Sequence, residues 1–349
     1  MPCAERNEGA VVSTSINLPP GAEIAHLPQP LRLECGEELR GVFVGYEILG
    51  PEHAPLVLVQ GGISSGRHLA AHESDKAPGW WEGCVAPGGP IDSKRFRVLA
   101  LDYLGGNGLT TQPQLCERVE HAGLGFPEVS TYDQAKLTAL LLDELGVSEL
   151  HAFVGASYGA MVALAFAERY PERVGSILAI SGAHQAHPMG VAWRSLQRRV
   201  LRLALENALP GEALSIARGM EMVSSRSPED LARRFGGKPR EGGPRSPWPV
   251  ESYLEACGRD YVEGFRPEPF YVLSRAMDLH RVVPEQIFVP ATLVSVSSDQ
   301  LVPSSQVAEL ASRMAGPVRH IEVESLLGHE AYLSEFESFA VLLREALDA

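Results

Sequence analysis

The 349-residue sequence has no cysteine pattern that would staple the chain. Its five cysteines, Cys3, Cys35, Cys84, Cys116 and Cys257, are scattered, odd in number and without a C-x-x-C pair. That argues against a disulfide framework or a cysteine-based zinc site and fits reduced thiols in the cytoplasm. Positive charge is also scarce: 30 Lys and Arg stand against 44 Asp and Glu, a formal net charge of −14. Nucleic acids and anionic membranes both require a basic face, so neither is an expected partner. An anionic small substrate stays open, because a local field can oppose the global one. No apolar run approaches the roughly 20 residues that span a bilayer. The first thirty residues carry no apolar signal core, and residues 1–30 read as a poorly ordered N-terminal arm.

What is present is an ordinary globular composition, 45% apolar and 21% charged, with an alternation of short apolar runs and longer helical patterns. Leu56 to Val59, Phe96 to Leu101, Leu150 to Val154 and Ser176 to Ile180 read as buried strands. Between them, Ser130 to Leu145 reads as a helix opened by a Ser130/Asp133 capping box and stopped by Gly146; Ala160 to Tyr170 is a small-residue helix ended by Pro171. The rhythm returns late, with strands at Thr292 to Val296 and Val318 to Val323 and helices at Gln306 to Met314 and Glu335 to Leu347. The pattern predicts an α/β fold, a mainly parallel sheet flanked by helices. Between residues 184 and 287 helical patterns such as Val191 to Leu205 dominate, and Gly236 to Pro249 is a Gly-, Pro- and Arg-rich loop. The division is therefore a core of residues 1–183 and 288–349 with a helical lid inserted at 184–287.

The pattern G-x-S-x-G occurs twice, as Gly155-Ala156-Ser157-Tyr158-Gly159 and as Gly62-Ile63-Ser64-Ser65-Gly66. Its chemical meaning requires a strand before the serine and a helix after it, so that a strained turn projects the hydroxyl beyond the sheet edge. Ser157 meets both conditions. Ser64 follows a strand, but Arg67-His68-Leu69 opens no comparable helix. The Gly61-Gly62 loop has a better use in offering backbone N–H groups to a developing oxyanion. Ile63 and Tyr158 are the expected donors.

A serine hydroxyl needs a base within hydrogen-bond reach and an acid to orient that base. Of the eleven histidines, His329 lies just past the last strand and before the last helix. Asp299 follows the strand Thr292 to Val296. Asp102 also ends a strand but precedes the serine, and Asp278 lies in the lid. Ser157, Asp299 and His329 run in the order that an α/β-hydrolase fold uses.

With those residues in place, the chain resembles the homoserine O-acyltransferases of the α/β-hydrolase superfamily, as a divergent branch. The resemblance runs through Pro90-Ile91-Asp92, Leu104-Gly105-Gly106, the Ser157 turn, Val250-Glu251-Ser252-Tyr253-Leu254, Ser274-Arg275-Ala276-Met277-Asp278, Ser298-Asp299 and Gly328-His329. It implies an α/β-hydrolase fold and transfer of an acyl group from acyl-CoA to homoserine in methionine biosynthesis. It further implies a homodimer and no cofactor beyond acyl-CoA as co-substrate. It places Arg198, on the first lid helix, on the homoserine carboxylate, and Glu330 on the substrate ammonium. Separately, Arg67 lies four residues past Ile63 and is positioned to answer a succinyl carboxylate in the acyl pocket. No metal ligand is expected. Serine in place of homoserine as acceptor, succinyl against acetyl as donor, and an esterase or thioesterase with the same triad all remain open. An inactive scaffold on the same fold is the reading that an intact triad opposes.

Overall fold

The computed structural model describes residues 18–116, 123–206, 209–237 and 246–348. The strands, in chain order, are β1 (Glu23–His26), β2 (Leu31–Arg32), β3 (Glu38–Leu39), β4 (Phe43–Leu49), β5 (Leu56–Gln60), β6 (Val85–Ala86), β7 (Ile91–Asp92), β8 (Arg97–Leu101), β9 (Ala152–Ala156), β10 (Ile177–Ile180), β11 (Ala291–Val296) and β12 (Val318–Val323). The helices are α1 (Thr131–Glu144), α2 (Tyr158–Arg169), α3 (Pro188–Glu206), α4 (Pro210–Ser225), α5 (Pro228–Phe235), α6 (Pro249–Gly264), α7 (Pro267–Asp278), α8 (Ser304–Arg313), α9 (Ala331–Ser334) and α10 (Phe336–Asp348).

Among the described residues, eight strands form one sheet in the order β1-β4-β8-β5-β9-β10-β11-β12. From β8 to β12 neighbouring strands are parallel, and β4 and β1 add antiparallel strands at one edge. The inner strands β5, β9 and β10 are buried at every position, as a sheet covered by helices on both faces requires. The helix α2 is apolar almost all round, and its residues from Tyr158 to Ala167 are all buried. The capping box at α1 is present, with Asp133 N–H donating to Ser130 Oγ and Ser130 N–H returning to Asp133 Oδ2.

The chain winds from β5 outward to β8, then crosses back to lay β9 on the other side of β5, with Gln60 beside Gly155. A crevice opens where the winding reverses at the carboxyl ends of such strands. Both G-x-S-x-G turns leave the sheet there, from adjacent strands.

The helices α3 to α7 all lie between β10 and β11, in the segment expected to be a lid. Its two ends are clasped at a short antiparallel bridge between Gln185 and Arg281, with Val282 N–H donating to His184 O at 2.8 Å. Beneath the clasp, the His280 ring joins Thr131 Oγ1 on α1 (2.9 Å) to Ala183 O (2.8 Å). Burial pushes this imidazole down to about 4, so it serves as a neutral pin between lid stem and core.

Two expectations need correction or restriction. Residues 1–30 are not wholly a loose arm: residues 1–17 lie outside the described residues, but Glu23–His26 forms the edge strand β1, paired with β4 from Glu23↔Tyr46 to His26↔Phe43. It was illegible because its burial pattern has no fully buried position. Of the loop assigned to Gly236 to Pro249, residues 238–245 lie outside the described residues, and Pro249 opens α6.

Candidate active site

Strand β9 ends at Ala156 and α2 begins at Tyr158, leaving Ser157 alone at the turn with φ 54° and ψ −115°. A non-glycine residue at positive φ is strained, and that strain persists only where the surroundings enforce it. They do so through the two flanking glycines. A Cβ on Gly155 would lie 2.3 Å from Gly159 O, and a Cβ on Gly159 would lie 2.2 Å from Gln60 O. The turn is thus packed against itself and against β5.

Ser157 Oγ lies 2.7 Å from His329 Nε2, and His329 Nδ1 lies 2.7 Å from Asp299 Oδ2. The other Asp299 oxygen accepts from Leu301 N–H (2.9 Å) and Val302 N–H (3.0 Å). Those two bonds satisfy a carboxylate that is 5% exposed and fix which oxygen faces the histidine. Burial alone would lower the His329 pKa, but the Asp299 charge and hydrogen bond outweigh it and hold the pKa above its ordinary value. The loops carrying the two groups are stitched together. Ser298 Oγ donates to Ser325 O at 2.6 Å and accepts from Gly328 N–H at 3.0 Å.

The loop after β5 is locked to the Ser157 turn through one carbonyl. Gly61 O accepts from Gly159 N–H (2.9 Å) and from Tyr103 Oη (2.6 Å). Among the described residues, no oxygen takes the N–H of Ile63 or of Tyr158, whereas Gly159 and Ala160 N–H are both engaged. Ile63 lines the cavity with Ser157, and Tyr158 N–H opens a helix, where the dipole favours negative charge. Ser64 also faces this cavity, but its Oγ bonds to Tyr261 Oη on α6 at 2.8 Å, and among the described residues no histidine bonds to it.

The lid helices, together with Glu330 of the core, supply the opposing charges. The cavity is lined by Arg194, Arg218, Glu221 and Glu330. Arg194 Nε is held by Asp278 Oδ1 at 2.6 Å. Arg218 is sandwiched between Glu221 Oε2 (2.9 Å) and the Tyr261 ring (4.9 Å to its centroid), with Glu330 Oε1 at 4.0 Å. Glu330, the residue expected to hold the substrate ammonium, lines the cavity, and its other oxygen pairs with Arg226 at 3.3 Å.

Two arginine placements are corrected. Arg198 is not among the residues lining the cavity. Its guanidinium donates to Ser274 O and Oγ and to Asp278 Oδ2 (3.0, 2.9 and 2.5 Å), which leaves Arg194 as the lining residue. The two arginines are one turn apart on the same helical face, so spacing alone does not separate them. Arg67 points away from the acyl pocket. Its Nη1 donates to Asp102 Oδ2 at 2.8 Å, and its Nε stands 3.5 Å from Glu47. Asp102, rejected as the catalytic acid on chain order, instead clamps this loop by accepting from Arg67 N–H and Leu109 N–H. Arg218 and Glu221 were missed altogether. Their one signal is an i, i+3 pair on a lid helix, which solvated helices carry as commonly.

An α/β-hydrolase fold family model matches residues 54–335. A homoserine O-succinyltransferase of Xanthomonas campestris pv. campestris is 39% identical over 319 residues, covering 91% of this chain and 81% of that protein. A serine O-succinyltransferase of Litchfieldella anticariensis is 33% identical, covering 95% and 99%. In structure, a homoserine O-acetyltransferase from Bacillus anthracis superposes with a TM-score of 0.85 at 21% identity, covering 94% of this chain and 97% of that one. The chain belongs to the α/β-hydrolase fold family and, within it, to the homoserine and serine O-acyltransferases.

Proposed function

We propose that this chain transfers an acyl group, succinyl in preference to acetyl, from acyl-CoA to the hydroxyl of homoserine by way of an acyl-Ser157 intermediate. The observation that carries the reading is the unbroken chain Ser157–His329–Asp299 facing a cavity walled by two lid arginines. His329 takes the Ser157 proton as Oγ attacks the thioester carbonyl, and the tetrahedral oxyanion is met by the N–H groups of Ile63 and Tyr158. CoA leaves as the thiol, with His329 returning the proton. The homoserine hydroxyl then attacks the acyl-serine, with His329 as base a second time. Asp299 fixes the tautomer and stabilises the imidazolium.

The two lining arginines divide the two carboxylates of a succinyl transfer. Arg194, anchored through Nε, presents its remaining N–H groups to the amino-acid carboxylate. Arg218 answers the succinyl carboxylate, which is costly to bury without a cation. Glu330, with Glu221, offers the substrate ammonium a negative wall. Serine is the second acceptor to consider, since serine O-succinyltransferases match over 95% of the chain.

The product, an O-acylated homoserine, belongs to methionine biosynthesis, and we place the enzyme in the cytoplasm. Among the described residues, no helix is long and apolar enough to cross a membrane. We further propose a homodimer through the lid: Met189, Leu196 and Leu203 of α3 are exposed at seven-residue spacing, one stripe of the helix.

Purified protein is to be incubated with homoserine or serine and with succinyl-CoA or acetyl-CoA, reading thiol release and product mass together. The reading expects O-succinylhomoserine as the dominant product. Equal release of free acid with and without an amino acid would make the protein a hydrolase.

A further inference from the structure

Outside the catalytic cavity, a strand and a loop bring three ligand-bearing side chains together. Glu47 on β4 and His68 and His72 on the loop after β5 place their carboxylate oxygen and ring nitrogens all within 4.8 Å of one another. Glu47 Oε2 lies 3.0 Å from His68 Nδ1 and 3.5 Å from His72 Nε2. The geometry points to a divalent-cation site built from Glu47, His68 and His72, of the kind that Zn²⁺ occupies.

His68 Nε2 lies 2.8 Å from Ala77 O. A carbonyl oxygen only accepts, so Nε2 carries the proton, and the Nδ1 lone pair of a neutral ring faces a carboxylate. That contact is repulsive unless a cation or a second proton lies between. A metal-bound histidine has the same arrangement, one nitrogen to the ion and the other N–H to a backbone carbonyl. His72 turns a second ring nitrogen toward the same oxygen. The two ring centroids stand 5.5 Å apart, so one divalent ion can reach a nitrogen of each ring and the carboxylate together.

The charge count agrees. Arg67 is already answered by Asp102, and its Nε, 3.5 Å from Glu47 Oε1, makes no hydrogen bond there. Glu47 is 2% exposed, and its Oε1 has no hydrogen-bond partner among the described residues, nor has His72 Nε2. The oxygen turned to both rings is Oε2, and the arginine within ion-pair distance of this buried carboxylate is the one that Asp102 shares. Two imidazoles and a carboxylate form a zinc donor set. The Gly21 backbone packs over His72, where a Cβ would meet the ring at 2.5 Å. The ion would tie the loop behind Ser64 and Ser65 to β4, far along the chain from the triad, and so would act as a staple with no part in the chemistry.

The full chain, purified without a histidine tag and stripped with a chelator, is to be titrated with ZnCl₂ and, separately, with CoCl₂. One equivalent of Zn²⁺ should bind and raise the thermal midpoint. Co²⁺ should give visible ligand-field bands without a thiolate charge-transfer band. His72→Ala and Glu47→Gln should each weaken Zn²⁺ binding at least about 100-fold, because each removes a direct ligand. The transferase rate of zinc-free His72→Ala should match that of the zinc-free wild type. Should Glu47→Gln fail to fold, His72→Ala on its exposed loop still decides. Wild type that takes up no stoichiometric Zn²⁺, or that binds no tighter than His72→Ala, overturns the site. Neither result touches the acyltransfer reading.

Discussion

Ser64 and Ser157 occupy the same five-residue pattern, leave adjacent parallel strands and line one cavity, yet they head different chains of groups. From Ser157 the contacts run through His329 to Asp299, entirely within the core. From Ser64 they run to Tyr261, on to Arg218 stacked upon it, and to Glu221 and Glu330. In the proposed mechanism one chain moves protons and the other presents charge. The segment immediately C-terminal to each serine sets the difference. A helix of small residues holds Ser157 at positive φ over the sheet, whereas the chain after Ser64 runs off as a loop that Asp102 ties down.

The comparison breaks most completely if Ser157 is dispensable. Ser157→Ala should lower kcat/KM by at least about 10⁴-fold while leaving the fold intact. Comparable activity in Ser157→Ala, measured by thiol release, would mean that the wrong serine has been placed in the chemistry.

Within the core chain, Asp299→Asn should cost about 10⁴-fold in kcat. It should also move the acid limb of the pH profile. Asp299 favours the imidazolium and holds the His329 pKa above its ordinary value, so its removal lowers that pKa. The variant's residual activity should then persist to lower pH than the wild type's. An unmoved acid limb would mean that the profile reports a different group.

The lid chain is tested by donor choice. Arg218→Leu should lose about 2–4 kcal/mol of succinyl transfer, roughly 30- to 1,000-fold, and keep most acetyl transfer. Equal loss with both donors would remove Arg218 from the acyl pocket.

The stem that carries the lid has its own signature. His280 is neutral in the fold, with a pKa of about 4 against 6.5 for the ordinary group. Between those values the unfolded chain binds a proton that the fold refuses, so stability falls as pH drops from 6.5 toward 4. The full shift corresponds to about 3 kcal/mol. In His280→Gln, denaturant midpoints should show a correspondingly shallower loss over that window. Ser64→Ala closes the series with the smallest effect, under about 10-fold, since it removes one hydrogen bond.

The meeting of Ser157, His329 and Asp299 was legible in the sequence because each sits at a strand end, where order along the chain and local spacing are enough. What escaped depends on the rotation of an element or on contacts distant in sequence. Arg194 and Arg198 share a helix face, and only packing against Asp278 and Ser274 decides which one lines the cavity. Arg67 lies near Ile63 in sequence, but Asp102, thirty-five residues away, turns it aside. Glu47 meets His68 and His72 only because β4 and the loop after β5 converge in the fold. The parallel sheet and inserted helices were readable from periodicity, whereas the edge strand β1 was not, because an edge pairs on one side and buries little.

Ser157 is proposed to carry the acyl group, and the lid chain to direct it to an amino acid in preference to water. Intact-protein mass spectrometry after mixing with succinyl-CoA alone tests this directly. The account predicts a mass increase of one succinyl group, located on Ser157 by peptide mapping, that persists in buffer and disappears on addition of homoserine with formation of O-succinylhomoserine. An adduct on another residue, or one that decays equally fast in buffer alone, would contradict it.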